Sequence, residues 1–184
     1  MASDSEAWTD NWDALCVTVT RAAPEEAARL IALADFSEFP TSDAADDWSR
    51  QSTSYDRAWF ATGAVDGWTF VWETNGWQGV TVDSALRLAN GGPLVSMYWN
   101  VNSVMSFLAL DHGVILRQFN PLFHNDMAPP TPVIGKALDS EAGLDWDLAP
   151  RLSALTVLSL TTGTRAVSPS WLREAGVRFW GHRF

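Results

Sequence analysis

Glu73 is the carboxylate in this chain whose setting points most directly to chemistry. It closes an apolar segment, WTFVWET, in which Val71 and Trp72 stand beside it, and Phe60 faces it from the preceding segment. Surroundings that exclude water raise a carboxyl group toward the working range of a general base. A structural role competes with that one: a strand-end carboxylate can accept backbone N–H bonds from the Asn75-Gly76 turn, or bind an indole N–H. Further along, Ser96, Tyr98, Asn100 and Asn102 alternate with Val95, Met97, Trp99 and Val101, so a polar row and an apolar row occupy opposite faces of one strand. Such a polar row either lines a pocket or ties down the sheet edge and its turn. Tryptophan gives the third signal. Eleven of the 184 residues are Trp, and Trp and Tyr are the types enriched at binding hot spots. Trp59, Trp68, Trp72, Trp77 and Trp99, with Tyr98, Asn100 and Asn102, are the candidate binding residues, and Glu73 is the candidate catalytic one.

Other reactive types are sparse. Cys16 is the single cysteine, set among Val17 and Val19, where a thiol is ordinarily a buried, inert small hydrophobe. His112, His124 and His182 are scattered, without the close ligand spacing that a zinc centre needs, so no metal is expected. His112 falls in a turn, and His124 lies beside Asn125 and Asp126 in a proline-rich stretch. No G-x-S-x-G, P-loop or dinucleotide fingerprint is present, so neither ATP nor NAD chemistry has support and no cofactor is expected.

The elements that must position these residues follow from periodicity and turn chemistry. Residues 14–20 (ALCVTVT) read as a strand. Pro24-Glu25-Glu26 opens a helix running to about residue 34, its stripe made by Ala27, Leu30, Ile31 and Ala34. Segment 35–56 reads as a long acidic loop. Asp66-Gly67 predicts a type I′ hairpin in which Val65 faces Trp68, Gly63 faces Phe70 and Ala61 faces Trp72. Trp59, Trp68, Phe70 and Trp72 then share one face, and Phe60, Thr62, Thr69, Val71 and Glu73 share the other. A short helix follows from Thr81 or Asp83 to Leu88, then a strand from Leu94 to Val101. A second hairpin spans residues 104–119 around a three-residue loop, Asp111-His112-Gly113. Residues 120–145 read as a proline-rich loop, and 146–184 as a helical segment and aromatic, basic tail.

The order β-α-β-β-α-β matches a ferredoxin-like split βαβ unit. The fold class expected is therefore α+β: one domain over 1–184, an antiparallel sheet with a ferredoxin-like core, an extra hairpin and C-terminal helices. The crossover helices of such a sheet cover one face. The other, rich in Trp, must meet the C-terminal helices, a second chain or a ligand.

The stretches DGWTFVWETNGWQG (66–79), WNVN (99–102) and FNPLF (119–123), together with CVTVTR (16–21) and LTTGTRAVSPSWL (160–172), resemble a family of small actinobacterial proteins of unknown function, common in streptomycetes, over about residues 12–175. The resemblance implies a bacterial cytosolic protein and carries no activity, cofactor or catalytic residue. Trp72, the His124 region and the Asp-rich 35–56 segment depart from that pattern and would mark this member's own specificity.

Composition narrows the function classes. A net charge of −10 repels phosphate backbones, so no nucleic-acid partner is expected. The charge is uneven: residues 1–60 carry −8, 61–150 carry −6 and 151–184 carry +4. No apolar run approaches a membrane span, and the acidic start lacks the form of a secretory signal. One cysteine gives no disulfide framework, and a cytoplasmic location is expected. Two functions stand side by side. One is a non-enzymatic interaction domain of immunity or adaptor type, binding a protein partner through the Trp-rich face and the acidic loop. The other is a cofactor-free enzyme or binder for a small aromatic or polyketide-like molecule, with Glu73 as general base. Assembly as a homodimer needs only the same Trp-rich face.

Overall fold

The computed structural model describes residues 13–32, 36–52, 56–123, 132–165 and 168–183. Their strands are β1 (Ala14–Thr20), β2 (Phe36–Phe39), β3 (Arg57–Val65), β4 (Trp68–Thr74), β5 (Leu94–Asn100), β6 (Met105–Asp111), β7 (Val114–Phe119) and β8 (Arg178–Arg183). The α-helices are α1 (Pro24–Ala32), α2 (Ser42–Arg50), α3 (Val82–Ala89) and α4 (Pro150–Thr162). This is an α+β fold. All eight strands join one sheet in the order β2-β8-β3-β4-β1-β5-β6-β7, and every pairing is antiparallel.

The first hairpin forms in the register its turn dictates. Asp66 and Gly67 both take positive φ, 52° and 77°, and Val65 pairs with Trp68, Gly63 with Phe70 and Ala61 with Trp72. The second hairpin differs from expectation. Asp111 pairs directly with Val114, so only His112 and Gly113 form the turn, at φ 49° and 76°. Two consecutive left-handed residues make a type I′ turn, whose twist suits the flanking strands better than a three-residue loop.

Segment 35–56 is not a loop throughout. Thr41 caps α2 by accepting the Ala44 N–H at 3.2 Å, and Asp43 lies in the first turn where the helix dipole favours an acid. Only Ala45 of α2 is buried, which leaves too little apolar periodicity for a helix to announce itself. The C-terminal tail is likewise a strand. β8 inserts between β2 and β3, and Gly181 lets the rings of Trp48 and Phe39 approach so closely that a Cβ there would lie 2.6–2.7 Å from their carbons. The basic end of the chain meets its own acidic start: Arg178 pairs with both Glu38 and Glu25.

Two apolar layers result. α1 and α3 cover one face, placing Ala27, Ala28, Ile31, Ala85 and Leu88 on Phe60, Val71, Leu94, Leu108 and Trp180. The opposite face carries Trp59, Trp68, Phe70, Trp72, Met97, Trp99 and Phe107. It is covered by Ala154, Leu155, Val157 and Leu158 of α4, with Trp146, Trp171 and Ala45. Trp171 packs its ring 6.1 Å from Phe70 and 6.4 Å from Trp72.

Candidate functional site

The strand registers bring the chemistry-bearing side chains into one row. Reading across the sheet, Phe60 on β3 pairs with Glu73 on β4, Glu73 with Cys16 on β1, Cys16 with Tyr98 on β5, and Tyr98 with Ser106 on β6. The next row holds Thr18 and Ser96, whose hydroxyls share a 2.7 Å hydrogen bond, with the Cys16 Sγ 3.6 Å from Ser96 Oγ. Both rows lie on the α1/α3 face, and the segment 75–80 passes over them.

That segment is built around Glu73. After β4 the chain turns at Asn75 (φ 56°), whose N–H donates to the Ala14 carbonyl at 3.2 Å. A short 3-10 turn, Gln78–Val80, then leads to α3. The Gln78 N–H donates to Glu73 Oε2 at 2.9 Å and the Gly79 N–H to Oε1 at 2.8 Å, and Cys16 is its cross-strand neighbour on β1. Two glycines permit this wrap. A Cβ at Gly76 would lie 2.7 Å from Glu73 Oε2, and one at Gly79 would lie 1.8 Å from Thr18 Oγ1. Glu73 is 2 % exposed. Burial pushes its carboxyl above the usual carboxylate range, partly offset by the two backbone amides and the thiol. Burial and then the charge of Glu73 push the Cys16 thiol well above its ordinary value, so it is held as the un-ionised thiol.

The carboxylate thus holds a loop, as in the structural alternative, but through Gln78 and Gly79 rather than the Asn75-Gly76 turn itself. The polar row resolves similarly. Asn100 Oδ1 accepts the N–H groups of Asn102 and Val104 at 3.0 and 3.1 Å, tying the β5–β6 turn, and Asn100 Nδ2 donates to the Tyr98 hydroxyl at 3.0 Å. Asn102 is exposed. Tyr98 is nearly buried, and desolvation raises its hydroxyl pKa despite the Asn100 bond.

The expectation of a Trp-rich contact face needs correction. Trp59, Trp68, Trp72 and Trp99 are at most 7 % exposed, because α4 and Trp171 fill the space a partner or ligand would have needed. They are core residues. Trp77 alone of the candidate tryptophans reaches solvent, at 46 % exposure. The acidic segment is also partly engaged, since Asp46 accepts from both Arg50 and the Trp59 indole.

The remaining titratable candidates stand apart from this row. His112 sits in its turn against Asp111, 2.8 Å away. His182 lies in β8 with its ring edge-on to Phe60, and burial lowers its pKa to about 4. His124 falls outside the described residues. Among the described residues no three His, Cys, Asp or Glu side chains gather as metal ligands would, and no helix is long and apolar enough to cross a membrane. The Thr18–Ser96 pair and the Gln78 and Gly79 amides escaped notice in the sequence. The available signal was a glutamate followed by two glycines three residues apart, which together describe a carboxylate wrapped by its own downstream loop.

The fold and site define an antiparallel α+β domain whose buried carboxylate organises a Trp-bearing loop. The chain belongs to the family of unknown function DUF6461, whose sequence profile matches residues 10–151. That span runs from before β1 to the first turn of α4, so most of α4, Trp171 and β8 lie beyond it. No curated protein and no solved structure matches the chain.

Proposed function

We propose that this chain is a non-enzymatic interaction domain that presents Trp77 to a protein partner. One observation carries the reading: a buried carboxylate and two sterically required glycines fix the loop on which a half-exposed tryptophan stands. Such a loop loses little conformational freedom on binding, which is how preorganised aromatic anchors gain affinity. The surroundings suit a contact patch. The Asn75 N–H bonds the Ala14 carbonyl and the Val101 N–H bonds the neighbouring Asp13 carbonyl, so the Trp77 loop and the β5–β6 turn leave the same end of the sheet. That turn exposes Val101 at 63 % and Val104 at 46 %, with Asn102 between them. The net charge of −10 would steer a basic partner toward the domain.

Three finer readings belong to the same proposal. A ferredoxin-like core is supported by the order β3-β4-β1-β5, with α1 and α3 on one face. One domain is supported by a sheet that takes strands from both β2 and β8. An actinobacterial, cytoplasmic setting is supported by eleven arginines to one lysine and by a buried, un-ionised Cys16.

The test uses the purified chain as bait in lysate of its native host, followed by a binding isotherm with each recovered protein. Trp77→Ala should weaken a true partner by about thirtyfold or more, the scale of a hot spot, at unchanged melting temperature. Equal affinity for wild type and variant would reject the contact. Size exclusion at two concentrations separates self-association from a foreign partner. One observation favours the small-molecule alternative: Glu73 is a desolvated carboxyl beside a thiol. Lost turnover or ligand binding in a folded Glu73→Gln variant would move the assignment there.

A further inference from the structure

Arg57 and Arg183 are directly paired at the end of the β3–β8 ladder. Like charges opposite one another on neighbouring strands repel, so the pair costs stability until something compensates it. Elsewhere the chain compensates its arginines: Arg50, Arg117, Arg165 and Arg178 each meet an acid. Among the described residues no carboxylate forms an ion pair with Arg57 or Arg183. The acids around them are otherwise placed. Asp46 on α2 is taken by Arg50 and the Trp59 indole, and Asp56 accepts from the Ser52 hydroxyl. Asp47 is exposed on α2, and Asp13 precedes β1, two strands away.

Arg57 is held in position. Its guanidinium carbon lies 4.9 Å from the centroid of the Trp48 ring, and Nη1 donates to the Trp48 carbonyl at 3.2 Å. That ring is itself seated over Gly181, where a Cβ would lie 2.6 Å from it. The Nε–Nη2 edge of Arg57 makes no hydrogen bond among the described residues, and Nε is buried. By the same edge Arg117 holds Glu141 and Arg178 holds Glu38. Arg183 stands exposed beside it. Both arginines lie at the end of the sheet from which the Trp77 loop leaves, since Trp59, two residues after Arg57, pairs with Thr74.

We propose that Arg57 and Arg183 form an oxyanion site for a carboxylate, an Asp or Glu side chain or a chain terminus, presented by the protein that contacts Trp77. The source of the carboxylate rests on that reading of Trp77; the site itself does not. Two guanidinium groups on one edge suit the planar, two-oxygen geometry of the ligand. Nε is dry in the free chain, so contact through Nη2 and Arg183 comes first. The domain-wide charge of −10 does not forbid the ligand: distant charges are screened beyond about 8 Å at physiological salt, whereas the arginines act in contact. A basic partner with one acidic residue beside its apolar anchor satisfies both fields, and the pair fixes its register.

Titration of the full chain with succinate, followed by NMR of the arginine Nε–H groups and backbone amides at pH 7 and fixed ionic strength, tests the site. Saturable shifts should centre on Arg57 and Arg183. Arg183→Gln, at an exposed strand end, should weaken binding at least about tenfold, the scale of one charge-assisted hydrogen bond. Arg173 is exposed, has no ion pair among the described residues and lies on the 3-10 turn Pro169–Arg173, whose Trp171 packs over Gly63. Arg173→Gln removes the same charge and should change the affinity by less than about twofold, because that charge is distant and screened. Absence of saturable shifts at Arg57 and Arg183, or equal weakening by the two variants, would overturn the site. Tighter binding of inorganic phosphate than of succinate under the same conditions would overturn the carboxylate assignment. Failure of the Trp77 contact is read separately, from the partner isotherms of wild type and Trp77→Ala.

Discussion

Gly79→Ala is the sharpest test of how the Trp77 loop is built. A Cβ at this position would lie 1.8 Å from Thr18 Oγ1, 2.9 Å from Ser96 Oγ and 3.1 Å from Glu73 Oε1. Thr18 cannot swing aside, because it is fully buried and bonded to Ser96 at 2.7 Å. The loop must therefore retreat by more than an ångström, which breaks the 2.8 Å bond from the Gly79 N–H to the carboxylate. Overpacking costs about 1–3 kcal/mol, and a lost hydrogen bond to a charged group about 1.5–3 kcal/mol. Together they predict a destabilisation of about 2.5–6 kcal/mol, or a fall in Tm of about 5–24 °C for a chain of this size. Chemical denaturation with Tm as cross-check measures it. Gly91→Ala is the control: its Cβ meets nothing within 4 Å and only the φ of 78° is strained, so its cost should be about 1–2 kcal/mol. Thr18→Ala combined with Gly79→Ala should recover at least about 1 kcal/mol relative to additivity, as directly touching pairs do. A Gly79→Ala protein within about 0.5 kcal/mol of wild type, or a double variant showing no recovery, would refute the packing argument.

Trp171→Ala should cost about 3–5 kcal/mol as a large core truncation, and should red-shift the tryptophan emission as water reaches the Phe70 and Trp72 rings that Trp171 covers. Arg117 and Glu141 form a buried bidentate pair at 3.0 and 3.1 Å; Glu141→Gln should cost about 3–5 kcal/mol in urea unfolding, whereas Arg117→Met with Glu141→Leu should restore most of it. His182, whose pKa is lowered from 6.5 to about 4 in the folded chain, should contribute stability that is complete above pH 6.5 and lost as pH falls toward 4. The loss amounts to about 3 kcal/mol, and His182→Gln should remove that acid slope from a stability–pH profile.

The legible parts of the fold were those specified by neighbours in sequence. Asp66-Gly67 fixed a turn type, the turn fixed a register, and the register placed Trp59, Trp68, Phe70 and Trp72 on one face, as the pairs of β3 and β4 bear out. The alternation of 94–101 likewise separated Val95, Met97 and Trp99 from Ser96 and Tyr98. β8 was hidden because Arg178–Arg183 carries Gly181 in mid-strand, a residue that ordinarily weakens a strand; what justifies it is the approach of Trp48 and Phe39 from elements about 130 to 140 residues earlier. α2 was hidden because one buried alanine leaves no stripe. The exposure of the Trp face was misjudged for a related reason. Its cover comes from Leu155, Leu158 and Trp171, more than 80 residues downstream of the hairpin, and no local pattern states which layer a C-terminal helix will join.

Glu73 and His182, two of the buried ionisable groups on the α1/α3 face, act on stability in opposite directions as pH changes. Glu73, with its pKa raised, makes the folded state more proton-binding than the unfolded chain, so its contribution to stability grows as pH falls from that raised value toward the ordinary 4.5. His182, with its pKa lowered, does the reverse between 6.5 and about 4. Both flank Phe60, one across the β3–β4 pairing and the other edge-on from β8. Their slopes oppose each other where the two titrations overlap, so the overall stability of the fold changes less with pH than either group alone would dictate. The balance is global while the bonds are local: His182 contributes nothing to the Gln78 and Gly79 amides that Glu73 accepts.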